Sequence, residues 1–467
     1  MKLRNSKIKL DERRERVLVS PKRSEGASVL IIVLWIAIGL VSIALYFANA
    51  MTFELRASDN RASGLATGQA IEGAARYVSY VLANFATNGA VPDKTRYTCE
   101  AVPIGDSRFW LIGRDPSGTP SSEPYFSLID EGSKLNLNTA NTNMLSYLPN
   151  MTPDFADAIV DWRSTNSSGA YALNYSQLGY QEKNAPFETV DELRLVYGAT
   201  IDLLADEDIN RNGVLDTNEK DLNGNGRVDP GLLEYVTVYT REPNFHSDGS
   251  SLTNVNTATE TRLRTFFQNA GVGNASGLAS SIGNYTHPRT GRANTFPSIL
   301  NFCLFCRNQG MSSDDFAKIY DDVTTSTNAY IRGRVNINTA DADVLTALLM
   351  GAGLDQSTAV GTAQSLITYR QQNPSNLGSV AWLIDALGNT STAAQALARG
   401  DYVTTRSFQF MADIAAVGPF GRGYRRVKFV FDTSDGTPKI IYRQDLSRLG
   451  WALGEKVRET LVAKVTQ

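Results

Sequence analysis

The sequence predicts an α+β protein in which a long N-terminal helix packs on an antiparallel sheet, and a large helical insert interrupts that sheet. Three observations favour this fold class. An apolar stretch near the N-terminus continues into a helical pattern, and strand-like segments occur both before and after the middle of the chain. Between those strands a short motif occurs three times, which indicates an internal repeat.

The N-terminal stretch, residues 27–48, contains 22 residues without a charge. As a helix it would span roughly 33 Å, enough to cross the apolar part of a bilayer. The 26 residues before it contain nine Lys or Arg and four Asp or Glu, although the whole chain has a net charge of −3. Basic flanks stay cytoplasmic, so the rest of the chain is expected outside the cytoplasm. The alternative is a secretory signal cleaved near Ala48, Asn49 and Ala50, although such signals have apolar cores of only about 7–15 residues.

The helical pattern continues beyond the apolar run. No proline occurs between Pro21 and Pro92 to interrupt helical hydrogen bonding. Farther along, apolar side chains recur with the i, i+3, i+4, i+7 spacing of a one-sided helix. They are Ile71, Ala74, Ala75, Val78, Val81, Leu82 and Phe85. The sequence thus predicts one helix over residues 27–85, apolar all round at first and amphipathic later.

A basic leader, a glycine and a long helix of this kind resemble the type IV pilins and the pseudopilins of type II secretion. The resemblance implies that a prepilin peptidase cuts between Gly26 and Ala27, and that the apolar helix is kept as the polymerisation helix. Most of these proteins carry glutamate at the fifth mature position, where this chain has Ile31. An unpaired charge is costly there, and a subunit with nothing above it in the fibre needs no such carboxylate. With the segment SVLIIVLW, this departure makes the chain similar to the K-type minor pseudopilins, the GspK family.

The strand-like segments lie on both sides of the insert. Before it are RYTCEAVPI, RFWLIGRD and PYFSLIDEG, and after it are YVTTRSFQFMADIAAV, YRRVKFVFD and KIIYRQD. Val427, Phe429 and Phe431 alternate onto one face, as in a half-buried antiparallel strand. The segment TSDGTPK is a candidate hairpin turn between the last two strands.

The repeated motif reads KLNLNTA at residues 134–140, LTNVNTA at 252–258 and RVNINTA at 334–340. Each copy precedes apolar helical segments, so we interpret the unit as a small helical module whose Asn and Thr side chains cap helix N-termini. The module resembles helix-hairpin-helix and SAM-like repeats, which also occur in K-type pseudopilins. DNA-binding hairpins present backbone N–H groups to phosphate, with lysine or arginine side chains nearby. That combination is missing from the three hairpin segments of this chain, PNMTPD, NAGVGNAS and GAGLDQS.

A polar segment at 208–219 has the spacing of a calcium loop. Its candidate ligands are Asp208, Asn210, Asn212, the Val214 carbonyl, Asp216 and Glu219, with Gly213 at the sharp turn. A second copy follows, with candidates Asp221, Asn223, Asn225, Arg227 (through its carbonyl) and Asp229. Leu232 occupies the twelfth position of this copy, so Glu234 is the substitute carboxylate that we expect there. We predict structural Ca²⁺ in both loops, which agrees with the calcium known in K-type pseudopilins.

The expected organisation is a leader at 1–26, a membrane and polymerisation segment at 27–50, and the first part of a pilin-like domain at 51–133. The insert covers 134–398, with the calcium segment at 206–234, and residues 399–467 complete the pilin-like domain. Cys303 and Cys306 are interpreted as buried apolar residues, with a local disulfide as the alternative. A zinc site would need two further ligands.

The resemblance implies a structural role at the tip of a periplasmic pseudopilus, where the subunit starts or caps assembly for protein secretion. Its expected partners are minor pseudopilins of the I and J types, the major pseudopilin, the prepilin peptidase and the inner-membrane secretion platform. The expected location is the bacterial inner membrane, with a single span and a periplasmic head. The sequence contains no H-E-x-x-H, G-x-S-x-G or P-loop pattern, so we expect no enzyme. The alternative function is a membrane-tethered DNA-binding protein of a competence-type system.

Overall fold

The computed structural model describes residues 25–116, 121–166 and 169–465, and side chains from residue 29 to residue 461 within those ranges. Most of the predicted leader, residues 1–24, lies outside the described residues. The chain divides into two compact units, Met1–Ala62 and Ser63–Gln467. Helix α1, Glu25–Phe85, contributes residues to both units.

The described part of the first unit is the N-terminal portion of α1. Its large apolar side chains are exposed, among them Trp35 at 71% and Tyr46 at 72%. Among the described residues, one helix is long and apolar enough to cross a membrane, and it occupies Val29–Phe85. This segment is therefore a candidate single membrane span.

The remaining helices all belong to the second unit. They are α2 (Thr142–Ser146), α3 (Pro153–Arg163), α4 (Ala172–Gln177), α5 (Ile201–Ala205), α6 (Glu260–Asn269), α7 (Ala275–Thr286), α8 (Ile299–Asn308), α9 (Ser313–Ala317), α10 (Ala342–Gly351), α11 (Gln356–Gln372), α12 (Ala381–Leu387), α13 (Thr392–Ala398) and α14 (Gly454–Val465). Most are short, so their stability depends on the packing between them.

The strands also lie in the second unit. They are β1 (Val102–Ile104), β2 (Ser107–Ile112), β3 (Ile129–Asp130), β4 (Leu135–Asn136), β5 (Val236–Thr237), β6 (Arg241–Pro243), β7 (Thr253–Asn254), β8 (Val323–Thr324), β9 (Tyr330–Arg332), β10 (Val335–Asn336), β11 (Val403–Thr404), β12 (Gln409–Val417), β13 (Tyr424–Asp432) and β14 (Lys439–Asp445).

The main sheet is antiparallel and six-stranded, in the order β1-β2-β12-β13-β14, with β3 also paired to β12. Strands from the two ends of the predicted insert thus meet at the pairing of β2 with β12. The C-terminal part of α1 packs on this sheet, and Ala74 and Val78 are fully buried there. On the other face, Met411 and Val430 contact Tyr239 of the insert. The α+β class and the long helix on an antiparallel sheet are confirmed.

Each of the three motif copies lies in a two-residue parallel strand pair that closes one helical repeat. The pairs are β4 with β5, β7 with β8, and β10 with β11. Every closing strand is a Val-Thr dipeptide. The sequence interpretation placed Val403–Thr404 with the main sheet, but this strand pairs with β10 and closes the third repeat. The pairing was missed because β10 lies far from Val403–Thr404 in the sequence.

The motif asparagines hold these repeats together. In the second copy, the Asn254 side chain accepts a hydrogen bond from the backbone N–H of Asn256, and Asn256 in turn accepts from the N–H of Phe296. The other two copies repeat the first of these bonds. The expectation that motif residues cap helices was wrong. The caps of α2, α6 and α10 are Asn141, Thr259 and Asp341, which follow the motifs.

Candidate metal centre

The two predicted loops form an excursion from the first repeat, between α5 and β5. The excursion is closed where it starts, because Asp206 and Pro230 form a β-bridge and the Gly231 N–H donates to the Ala205 carbonyl at 3.1 Å. A Cβ on Gly231 would lie 2.4 Å from Leu204, so only glycine permits this approach. The loops are thus fixed at both ends before any ligand is considered. We call residues 208–219 loop 1 and residues 221–229 loop 2.

The side-chain oxygens of loop 1 accept hydrogen bonds from the backbone N–H groups of the same loop. The two carboxylate oxygens of Asp208 accept from the backbone N–H groups of Asn212 and Gly213, both at 2.9 Å. The Asn210 and Asn212 side-chain oxygens accept from the N–H groups two residues farther along, at 3.0 and 2.9 Å. Gly213 has φ +80°, which the sharp turn requires.

The carboxylate of Asp216 completes this arrangement. It accepts from the side-chain amides of both Asn210 and Asn212, at 2.5 and 2.8 Å. These contacts join the side chains of Asn210, Asn212 and Asp216 within one turn, which also contains Val214.

Loop 2 repeats the network residue for residue. Asp221 accepts from the backbone N–H groups of Asn225 and Gly226, at 3.2 and 2.8 Å. Asp229 accepts from the side-chain amides of Asn223 and Asn225, at 2.5 and 2.9 Å. The Asn225 oxygen accepts from the Arg227 N–H, just as Asn212 does from Val214.

The two loops obtain their last carboxylate from different places. In loop 1, Glu219 accepts from the N–H groups of Asn210 and Asp216, both at 3.1 Å. In loop 2 the corresponding carboxylate belongs to Glu207, which accepts from the N–H groups of Leu222 and Asp229 at 2.5 and 3.0 Å.

Sequence reasoning missed Glu207, because it precedes loop 1 and reaches loop 2 only through the closure of the excursion. Glu234, the carboxylate expected at this place, has a different partner in the structure. This side chain forms a salt bridge with Arg114 at 2.9 Å instead.

The surroundings of the two loops differ. Asp208 and Asn212 are 2% and 1% exposed, whereas Asn223 and Asn225 of loop 2 are exposed. Burial raises the pKa of Asp208, and it also raises the pKa of Glu219. In loop 2 the backbone N–H of Gly226 lowers the pKa of Asp221. Loop 1 therefore concentrates carboxylates in a place that disfavours their charge, and a bound cation would offset this cost.

The donor set fits a hard cation. Calcium prefers six to eight oxygen ligands from carboxylates, amides and backbone carbonyls, and each loop offers this mixture. Within the described ranges, no group of three or more His, Cys, Asp or Glu side chains is gathered as a metal centre. The loops instead rely on asparagine and carbonyl oxygens for about half of their candidate ligands. Such a composition suits calcium better than zinc or another transition metal.

The other predicted sites belong to other elements of the chain. Gly26 and Ala27 belong to the first turn of α1. The second helix hairpin turns its Gly273 N–H toward the carboxylate of Asp315 at 3.4 Å, where a DNA-binding hairpin would hold phosphate. Cys303 and Cys306 are free thiols, and both are fully buried in α8.

Comparison with known proteins gave a likeness to a solved structure. No protein-family model matches the chain, and no curated protein matches it. A chain in the crystal structure of the GspK-GspI-GspJ complex from the enterotoxigenic Escherichia coli type 2 secretion system aligns with 11% identity and a TM-score of 0.39. The alignment covers 84% of this chain and 99% of that chain.

Proposed function

We propose that this chain is a minor pseudopilin of the K type, a structural subunit of a type II secretion system. The observation that carries the proposal is the division of α1. Up to Ala62 its large apolar side chains are exposed, whereas from Ala70 onward one face is buried against the antiparallel sheet. A helix that is apolar all round needs lipid or other apolar helices around it. A subunit that moves from membrane to filament uses both surroundings in turn.

Ile31 supports a place at the tip of the filament. It is 54% exposed on α1, at the position where most related subunits carry glutamate. A carboxylate in this setting needs a cationic partner from the subunit above. A tip subunit has no neighbour above it, so isoleucine avoids an unpaired charge.

The head offers a second argument for the tip. Three helical repeats are inserted into the sheet domain between β3 and β12, and we propose that they are of a SAM-like or helix-hairpin-helix-like kind. Their shared core is larger than the core formed by α1 and the sheet. Such a head would crowd neighbouring subunits along a fibre but has room at its end. The role is therefore assembly rather than catalysis, with prepilin peptidase cleavage after Gly26 and a periplasmic head.

Calcium is the structural cofactor in this proposal. Loop 1 would hold one ion with Asp208, Asn210, Asn212, Asp216, Glu219 and the Val214 carbonyl. Loop 2 would hold another with Asp221, Asn223, Asn225, Asp229, Glu207 and the Arg227 carbonyl. The ions would fix the excursion by neutralising carboxylates that otherwise repel one another. The partners we propose are the I-type and J-type minor pseudopilins and the major pseudopilin, with the inner-membrane platform as the assembly site.

Co-purification from the native membrane tests the proposed function. The full-length chain should bring down other proteins with long N-terminal apolar helices, and protein secretion should fail without it. Gly26→Val should block processing and abolish this association, whereas Gly39→Val, on the exposed membrane segment, should leave processing intact. Association with DNA, or purification without any pilin-like subunit, would contradict the proposal.

A further inference from the structure

Loop 1 is held from outside by an ion pair of the main sheet. Arg426 of β13 is completely buried, at 0% exposure, and binds Asp413 of β12 through Nε at 2.8 Å and through Nη2. The same guanidinium donates to the backbone carbonyls of Asn210 and Arg211, the latter at 2.8 Å. A single side chain therefore connects two strands of the sheet to the backbone of loop 1.

A second arginine acts on the same stretch of backbone. Arg114, which follows β2, donates to the Arg211 carbonyl at 3.2 Å and to Glu234 at 2.9 Å. Its guanidinium lies 3.9 Å from the carboxylate of Asp208. The loop also contacts the segment before α14, since the Asn210 amide lies 3.4 Å from the Trp451 carbonyl.

These arginines can position the loop without repelling a cation. Each has its shortest ion pair with a carboxylate that is not a candidate ligand of loop 1, Arg426 with Asp413 and Arg114 with Glu234, while the candidate ligand Asp208 lies farther from Arg114, at 3.9 Å. The charge that each pair adds beside the loop is therefore close to zero. The remaining effect is on geometry, because fixing the backbone carbonyls of Asn210 and Arg211 also fixes the directions of the neighbouring candidate ligands Asp208, Asn210 and Asn212.

Loop 2 lacks this support. The hydrogen bonds of its described residues join it to itself and to Glu207, and none of them reaches a strand of the main sheet. The two loops have the same internal hydrogen-bond pattern, so loop 2 serves as a comparison for loop 1 within one molecule. Only loop 1 is connected to the sheet.

We propose that Arg426, Asp413 and Arg114 are positioning residues for calcium in loop 1, and that calcium binding there is thermodynamically linked to docking of the insert on the sheet. This inference rests on the proposed calcium role. Linkage is reciprocal: if the docked sheet raises the calcium affinity of loop 1, calcium stabilises the docked sheet by the same factor. Calcium in loop 2 would stabilise the excursion alone.

The test measures calcium binding to the full chain in detergent by titration calorimetry. Asp229→Asn removes a ligand of loop 2, so loop 1 can be followed in that background, and Asp216→Asn isolates loop 2 in the same way. In each background, Asp413→Asn and Arg426→Lys are compared with Arg425→Lys. Arg425 is the adjacent residue, but it faces Asp445 at 3.8 Å and is half exposed.

Loss of an outer-shell partner commonly lowers metal affinity by roughly 10- to 100-fold. We expect this loss at loop 1 for Asp413→Asn and Arg426→Lys, with no change at loop 2 and none for Arg425→Lys. Unchanged loop 1 affinity in folded variants overturns the inference, and so does an equal loss at both loops. If Arg426→Lys does not fold, Arg114→Lys, which changes a partly exposed side chain, takes its place and decides the outcome.

Amide hydrogen exchange measures the reverse effect of calcium on the sheet. Calcium should slow exchange in β12 and β13 of the wild-type chain and of Asp229→Asn, but not of Asp216→Asn. Equal slowing in all three would overturn the inference. A wild-type chain that binds no calcium at all refutes the calcium proposal itself, which is a different result from calcium binding that ignores Arg426.

Discussion

Replacement of Asn256 by alanine tests the architecture of the repeats. The Asn256 side chain accepts from the Phe296 N–H at 2.7 Å and donates to the carbonyls of Phe296 and Thr325, both at 3.0 Å. Each such bond contributes about 1 kcal/mol net, so the loss of three should cost about 3 kcal/mol. The equivalent residue of the first repeat, Asn138, makes two such bonds, both with Phe187. Asn138→Ala should therefore cost about 2 kcal/mol.

Thermal unfolding of the full chain in detergent, followed by circular dichroism, measures these costs. Asn256→Ala should lower the midpoint by roughly 3–4 °C and Asn138→Ala by less, because the unfolding entropy of a unit as long as Ser63–Gln467 is large. Asn284→Ala, on the exposed side of α7, is the matched control and should stay within about 0.5 kcal/mol of the wild type. If Asn256→Ala behaves like this control, or if Asn138→Ala is the more damaging change, the motif asparagines do not hold the repeats as argued.

Three further predictions concern the buried thiols and the loops. Burial raises the pKa of both Cys303 and Cys306, so the native chain should resist iodoacetamide at about pH 8 and react only when unfolded; rapid native labelling of α8 would contradict this. Glu207→Gln should weaken calcium binding in loop 2 roughly 10-fold or more, whereas the control Glu234→Gln should not. If titration gives both variants the same loop 2 affinity, Glu207 is not the last carboxylate of loop 2. Burial raises the pKa of Asp208 above its ordinary value of 3.8. In the calcium-free chain, the folded state is therefore more stable while Asp208 is protonated, and this stability is lost as the pH rises through the folded pKa. The increase in melting temperature on calcium addition should then grow from about pH 4 to about pH 7.5, and an equal increase at both values would refute this linkage.

Local patterns predicted the elements that depend on local physics. The spacing of Ala74 and Val78 identified the buried face of α1, and the alternation of Phe429 and Phe431 identified a strand of the sheet. The glycine at the turn of each loop was predicted for the same reason, since its positive φ is a property of the turn alone.

The missed features depend on contacts between distant residues. Val403–Thr404 has the composition of a strand, but its partner β10 decides which structure it joins. Glu207 reaches loop 2 only because Asp206 and Pro230 pair at the closure of the excursion. Arg426 looked like any residue of an alternating strand, and nothing near it in the sequence indicated that it would hold loop 1.

The mass of the native mature protein tests the central claim most directly. If α1 is kept as a polymerisation helix, intact-protein mass spectrometry of the chain from its native membrane should give a first residue at Ala27, with or without an N-terminal methyl group. A chain that begins at Met51 would lack the apolar part of α1 and would contradict the account.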